Sequence, residues 1–221
     1  LKLFLLDAAG VLAALALGVI VFYFGGAYGS SYLALMLVFL FLSVAATKYG
    51  SNVKRKLALY EYDRSWENVL ANGIVPAFCV IAYQLATSSV LFLSPSSLVG
   101  AYMGSLAAVT ADKFSSEIGV LGGTPRRLFD FKEVRTGQSG AVSQLGTFAS
   151  FDGALIIGVA GYLLFAGRYD AWGVLFITLI GVFGSLVDSA VGVLENRGIG
   201  NKMTTNLVCA LTGAALGYLF L

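Results

Sequence analysis

Apolar stretches of about 20 residues recur along the whole chain, each long enough to cross a hydrocarbon core about 30 Å thick as a helix. The first, residues 3–24, is apolar apart from Asp7 and too long for the core of a signal peptide, so it reads as a retained helix. A Gly-rich turn at 25–30 leads to a second helix at 31–47, and a polar loop or amphipathic segment follows at 48–68. The third helix is predicted over 66–93, with Pro76 as a kink whose freed carbonyl needs a neighbour. The SPSS run at 94–97 reads as a turn. A fourth helix, from Leu98, is lined with Gly100, Gly104, Ser105, Ala107, Ala108 and Ala111, small residues that let other helices approach closely. Residues 122–144 are too polar to span and read as the longest loop, suited to a lid over substrate. Helices at 145–166, 172–194 and 203–221 complete the pattern, joined by a short turn at 167–170 and a loop at 195–202. The prediction is an all-α, polytopic membrane helix bundle of about seven transmembrane helices, forming one domain over 1–221.

Composition agrees, since 58% of residues are hydrophobic and 12% charged, where soluble domains carry about a quarter charged. Lys and Arg placement then sets the orientation. With the N-terminus and the loops at 48–68, 113–144 and 195–202 on the cytoplasmic side, thirteen of the fourteen Lys and Arg residues lie inside and only Arg168 outside. The chain is thus expected to be a multi-pass membrane protein with its active site at the cytoplasmic face. There is no acidic or basic tail, and no nucleic-acid partner is expected. Cys79 and Cys209 fall inside apolar segments without metal-ligand spacing and read as packing residues.

The chain has no histidine, which excludes Ser-His-Asp triads, zinc hydrolases of the usual type and His-based acid/base catalysis. Carboxylates, amides, hydroxyls, Lys and Arg remain, an inventory suited to Mg²⁺-assisted phosphoryl or nucleotidyl transfer. The densest polar stretch, 108–147, holds Asp112 and Glu117 at one end and a Gly/Ser/Thr run at the other. Carboxylates can hold Mg²⁺, and a Gly-rich turn can cradle phosphate oxygens. Ser116 shares the helical face of Asp112 at i+4, whereas Glu117 at i+5 does not, so one metal would require the helix to end or distort between the two acids. The competing reading is that both are solvated charges at a helix end.

Asp188 lies about two turns inside its helix, where a carboxylate costs at least ~2.5–3.5 kcal/mol unless paired or hydrated. It shares a face with Gly181, Gly184, Ser185 and Gly192; a structural hydrogen bond is the alternative to a functional role. Asp152 invites the same argument more weakly. Asn68 and Asn72, four residues apart, and Asn206 can bind phosphate, base or a metal-bound water, or equally cap and link helices. The run from Thr136 through Gly137, Ser139 and Gly140 lacks a Walker ending, but Lys132 and Arg135 precede it, and Gly146 and Thr147 open a helix whose N-terminus favours anions.

Five motifs in order, RSWENVLANG from Arg64, TADKFSSEIG from Thr110, TGQSGAVSQLGTFAS from Thr136, GSLVDSAVG from Gly184, and Asn201 to Asn206, resemble those of the membrane-protein family that includes transmembrane protein 19 and the chloroplast phytyl-phosphate kinase of tocopherol synthesis. The resemblance covers the chain from about Arg64 to the C-terminus. It implies transfer of phosphate from a nucleoside triphosphate, with CTP typical of the related phytol and dolichol kinases, to an isoprenoid monophosphate. It further implies that Asp112, Glu117 and Asp188 hold Mg²⁺ and the triphosphate, that Gly137, Ser139 and Gly140 cradle phosphates, that Lys132 counters their charge, and that Asn72 and Asn206 complete the site. Lys113 stands where that pattern suggests a small hydroxyl residue, and Asp152 lies outside it.

The expected activity is therefore a CTP-dependent isoprenoid monophosphate kinase that yields the diphosphate, with membrane lipids as surroundings and homodimerisation through small-residue faces as an option. The alternatives are a CDP-lipid-forming cytidylyltransferase and a small cation- or proton-coupled transporter working through Asp152 and Asp188.

Overall fold

A computed structural model describes residues 5–61, 64–165 and 170–221. The start of the first expected helix and most of the 167–170 turn, including Arg168, lie outside the described residues. In chain order the elements are α1 (Ala8–Phe24), α2 (Gly29–Lys48), a short α3 (Ser51–Lys56), α4 (Trp66–Thr87), α5 (Pro95–Gly119), β1 (Arg126–Arg127), β2 (Ala141–Val142), α6 (Gln144–Leu164), α7 (Ala171–Glu195) and α8 (Lys202–Phe220). Gly26–Tyr28 form one 3₁₀ turn between α1 and α2.

The architecture is the expected membrane helix bundle. By length and composition, five described segments can cross a membrane: Gly26–Lys48, Trp66–Thr87, Gln144–Leu164, Ala171–Glu195 and Lys202–Phe220. The expected count of seven corresponds to these five plus α1, an apolar helix of 17 residues, and α5, with 25. α5 falls short in apolarity for a physical reason. Every residue from Leu98 to Asp112 is buried, because α2, α4, α6, α7 and α8 all pack around it. A helix enclosed by protein can be rich in small and hydroxyl residues, since lipid never touches it.

Two boundaries differ from the sequence reading. The SPSS run is the start of α5, with Ser94 as N-cap, its side chain accepting from Ser97 N at 3.4 Å, and Pro95 at the first helical position, where a missing N–H costs nothing. α4 passes through Pro76 but stops at Thr87, and Ser89 at φ 59 turns the chain.

Close backbone approach centres the bundle. α5 and α8 run antiparallel with Gly100 against Gly217 and Gly104 against Gly213; a Cβ on Gly100 would lie 2.5 Å from Gly217 O, and one on Gly104 would collide with the carbonyl of Gly213. α7 seats against α5 in the same way, a Cβ on Gly184 meeting Ala108 Cβ at 2.5 Å. Rings fill the end of the bundle remote from the polar loops: Tyr32 packs on Tyr102, Phe165 and Tyr83 at 4.8, 5.0 and 5.6 Å between centroids, and Tyr102 OH donates to Tyr32 O at 2.5 Å.

At the opposite end, Lys54, Glu61 and Arg64 are fastened by charge. Gly50, at φ 63, reverses the chain after α2, so that α3 turns Lys54 back under the last turn of α2. The buried Lys54 ammonium donates to Ala46 O at 2.7 Å, Thr47 O at 3.1 Å and Glu117 Oε2 at 2.7 Å. Its three N–H bonds thus satisfy two end-of-helix carbonyls and one carboxylate. Thr47 Oγ1 donates to Glu117 Oε1 at 2.6 Å, and Lys113 Nζ lies 2.7 Å from the same oxygen. Glu117 therefore faces cations, not the other expected metal ligands; the i+5 offset from Asp112 carries it round the helix, and no distortion brings it back. Burial lowers the Lys54 amine from its ordinary value, with the Glu117 carboxylate opposing the shift.

Two expectations follow. Gly104→Ala lowers the thermal unfolding midpoint in detergent by the equivalent of about 1–3 kcal/mol, since backbone must move to admit the methyl, whereas Gly18→Ala, whose Cβ would meet Leu33 Cδ1 at an ordinary 3.5 Å, leaves it unchanged or higher. Glu117→Gln costs about 3 kcal/mol or more by the same measurement, because it leaves Lys54 buried without its counter-charge; an unchanged midpoint would show that the buried ion pair does not tie α3 to α5.

Candidate functional site

Three helices deliver a polar cluster to the loop end of the bundle. α5 contributes Asp112, α7 Asp188 and, four residues apart on α8, Lys202 and Asn206 share a face. Asn201 caps α8, its side chain accepting from Thr204 N at 3.0 Å, which sets where Lys202 begins the helix. Lys202 Nζ sits 3.1 Å from Asp188 Oδ2 and 3.7 Å from Asp112 Oδ2. Both carboxylates and Asn206 are buried, while the Lys202 side chain remains 51% exposed, so the ammonium reaches the pair from an open side. Asp188 Oδ1 and Asn206 Oδ1 are buried without a hydrogen-bond partner. An unpaired buried acceptor costs ~1–3 kcal/mol, and two of them beside two acids with one ammonium make a place that favours further positive charge.

This cluster forms one wall of a cavity of about 430 Å³. At its polar end the cavity is lined by Asp112, Lys113, Ser116, Asp188, Lys202 and Asn206, and the Thr136–Ala141 turn closes over them. A second limb runs between α1, α2 and α4, where Leu17, Gly18, Met36, Leu40, Val69 and Gly73 supply apolar walls. Arg64, Glu61 and Glu117 lie where the limbs join. Partial burial pushes the Glu61 carboxyl up, but Lys113 and Arg64 beside it more than offset that and hold it below the ordinary carboxylate value.

The expected site residues separate into three groups. Asp112, Asp188, Asn206, Asn68, Asn72 and Ser116 line the cavity; Asn72 Nδ2 donates to Asn68 O at 2.8 Å, and Ser116 Oγ to Lys113 O at 3.2 Å. Gly137, Ser139 and Gly140 also line it, but as a wall clamped to α7. Ser139 Oγ donates to Glu195 Oε2 at 2.6 Å, Asn196 Nδ2 donates to Ser139 O at 2.6 Å, and a Cβ on Gly140 would lie 2.7 Å from Val193 N. Gly137 and Gly140 hold φ of 82° and 76°, conformations that require glycine at this turn.

Gly146, Thr147 and Lys132 lie outside the cavity lining. Gly146 is buried against α5 with its N–H taken by Ser143 Oγ at 3.1 Å, and Thr147 Oγ1 donates to Ser143 O at 3.1 Å. The N-terminus of α6 is thus capped by its own Ser143, which answers the anion-binding expectation there. Lys132 is exposed beyond β1, its carbonyl paired to Arg127 N at 2.9 Å, so the hairpin holds it off the cavity. Glu117 lines the cavity but faces cations, and among the described residues no three His, Cys, Asp or Glu side chains converge as a metal-holding group. The expected trio of Asp112, Glu117 and Asp188 is therefore not assembled; Asp112 and Asp188 are joined by Asn206 in its place. Asp152 is exposed on α6, away from the cavity.

Sequence reasoning missed Lys202, Lys113 and Arg64 as cavity cations. The i, i+4 spacing of Lys202 and Asn206 was the available signal for the first.

Comparison with known proteins places the chain in a family. The family model described as "Integral membrane protein DUF92" matches residues 1–214. An uncharacterized membrane protein of Methanocaldococcus jannaschii is 39% identical over 217 residues, covering 97% of this chain and 85% of that protein. Protein PGR of Arabidopsis thaliana is 32% identical over 208 residues, covering 85% of this chain and 70% of its own length. An uncharacterized membrane protein of Synechocystis is 28% identical over 167 residues, covering 73% of this chain and 62% of its own. No solved structure matches the chain significantly. With the family model spanning nearly its whole length, the chain belongs to the DUF92 family of integral membrane proteins.

Proposed function

We propose that this protein is a membrane phosphotransferase that moves the γ-phosphoryl group of a nucleoside triphosphate, CTP by the motif resemblance, onto an isoprenoid monophosphate. The observation that supports this reading is a cavity whose apolar limb between α1, α2 and α4 runs into an acid, amide and lysine cluster at the polar-loop face. A long apolar chain and a phosphate fit the two limbs of one such space, and nucleotide would enter from the face that the Lys and Arg distribution assigns to the cytoplasm.

Attack by the monoester oxygen on the γ-phosphorus forms the new P–O bond while the β,γ-bridging bond breaks and the nucleoside diphosphate leaves. The nucleophile is already anionic near neutral pH, so no histidine base is required. The work left to the protein is positioning and charge compensation. Asp112 and Asp188, with the unpartnered oxygens Asp188 Oδ1 and Asn206 Oδ1, are the groups that would hold Mg²⁺, which supplies neutralisation of triphosphate charge. Lys202, half exposed at the open side of the carboxylate pair, is placed to move from Asp188 to a phosphate oxygen. Asn68, Asn72 and Ser116 offer further polar contacts, and the turn containing Gly137 and Gly140 limits the space above them.

A transport role through Asp188 and Asp152 fits less well. The ring cluster of Tyr32, Tyr83, Tyr102 and Phe165 fills the bundle opposite the polar end, and Asp152 does not line the cavity.

The test uses the purified protein in detergent with Mg²⁺, γ-labelled CTP and a panel of isoprenyl monophosphates. Label entering the lipid supports the kinase; label released in pyrophosphate supports a cytidylyltransferase and removes the kinase reading; intact nucleotide across the panel, with ATP and UTP also tried, removes both. Asp112→Asn and Asp188→Asn each reduce turnover by about 100-fold or more while the unfolding midpoint shows the protein still folded. Lys202→Met lowers kcat/KM for nucleotide by a similar factor. Wild-type turnover in the two Asn variants would exclude the carboxylate pair from the chemistry.

A further inference from the structure

The cavity carries a second cationic centre, separate from Lys202, at the junction of its apolar and polar limbs. Arg64 is nailed to the three helices that wall the apolar limb. Its backbone N donates to Leu5 O at 2.8 Å and its O accepts from Asp7 N at 3.2 Å, at the entry to α1; its guanidinium Nη2 donates to Ser43 O on α2 at 3.1 Å and also meets Thr47 Oγ1; and it stands just before Ser65, the N-cap of α4. The buried guanidinium therefore marks where the apolar walls end. Lys113 stands beside it on α5, bridging Glu117 at 2.7 Å and Glu61 at 2.9 Å.

Two features make this centre a receiver of an anion instead of a closed structural knot. Among the described residues, Lys54, Arg64 and Lys113 face two carboxylates, Glu61 and Glu117, so that one positive charge is in excess within that set. Lys113 has three N–H bonds, of which, among the described residues, Glu61 and Glu117 engage two, and its side chain lines the cavity with 18% of its surface open. Lys54, by contrast, is buried outside the lining with its three donors matched.

We propose that Lys113, backed by Arg64, binds the anionic head group of a single-chain amphiphile whose tail occupies the limb between α1, α2 and α4. The reading of that amphiphile as the phosphoryl acceptor rests on the function proposed above; the subsite itself does not. Because Asp112 and Lys113 are consecutive on α5, a head group at Lys113 lies next to the acid pair at Asp112 and Asp188, and acceptor and nucleotide phosphates occupy neighbouring cationic centres, Lys113 for one and Lys202 for the other. Glu61 and Glu117 act as positioning residues that hold the ammonium toward the cavity.

The experiment measures binding to the purified protein without nucleotide, so that its outcome is independent of turnover. Dodecyl phosphate, dodecanol and inorganic phosphate are titrated against wild type, Lys113→Met, Lys113→Arg and Lys202→Met by thermal shift. Dodecyl phosphate is expected to bind wild type and Lys113→Arg with affinities within a few-fold of one another, Lys202→Met nearly as well, and Lys113→Met at least tenfold more weakly; dodecanol and inorganic phosphate each bind wild type at least tenfold more weakly than dodecyl phosphate. Amine acylation of the wild type, read by mass spectrometry, provides a test that does not require any variant to fold: dodecyl phosphate protects Lys113 and leaves Lys202 reactive. Equal binding by Lys113→Met, dodecanol matching dodecyl phosphate, inorganic phosphate matching it, or protection of Lys202 instead of Lys113 would each overturn the assignment. Loss of label transfer with this binding intact would remove the kinase and leave the subsite standing.

Discussion

The bundle depends on how closely α5 and α8 approach, with Gly104 against Gly213 and Gly100 against Gly217. In a bilayer the hydrophobic effect does not press helices together, so association comes from packing and interhelical polar contacts. Removing side chains from one line on each helix lets backbone meet backbone and maximises that packing. The result encloses α5 completely and brings α7 and α8 against it at the level where Asp112, Asp188 and Asn206 stand. A wider crossing would separate the two acids from Lys202 and flood the site. The same close packing that stabilises the bundle thus fixes the geometry of the polar cluster at its loop end.

The two ends of the molecule are built from different forces. Aromatic rings around Tyr32 and Tyr102 fill the end remote from the loops, where sealing needs area and shape but no charge. The loop end is held by ionic contacts that link α2, α3, α4 and α5 through Lys54, Arg64, Lys113 and Glu117. Buried ions are costly unless well paired, and here nearly every donor and acceptor has a mate. Among the described residues at this end, Asp188 Oδ1 and Asn206 Oδ1 are unpaired, and both residues line the cavity. Their position sets the polar end apart from the Lys54 ammonium beside it, whose three donors are matched.

The sequence made the helices legible because lipid contact demands long apolar runs, and it exposed Asp188 because a carboxylate inside such a run needs a reason. Asp112 was legible from the density of polar residues at 108–147, and Asn68, Asn72 and Asn206 from their places at helix entries. What it hid was partnership between helices. Helical periodicity says which face Glu117 occupies, but the identity of the facing helix comes from tertiary packing, and that packing placed Lys54 there. Lys202 sat in a polar loop by composition, yet helix α8 begins one residue earlier than its apolar run suggested and carries the ammonium inward. Lys132 misled in the opposite direction, since proximity to a Gly-rich turn in sequence says nothing about the two-residue hairpin that holds it away. The Gly137 to Gly140 run was recognised as special, although its clamping to Glu195 and Asn196 could be seen only once α7 was in place.

The central claim is that one cavity serves both the apolar chain and the anionic head of a single ligand. Its most direct test is photolabelling with an alkyl monophosphate that carries a diazirine midway along its chain, followed by mapping of adducts. The account predicts adducts on the facing walls of α1, α2 and α4, at residues such as Leu17, Met36 and Val69, suppressed by excess unlabelled alkyl phosphate. Adducts confined to outward-facing residues such as Phe41, Phe176 and Leu211, unaffected by competitor, would contradict it.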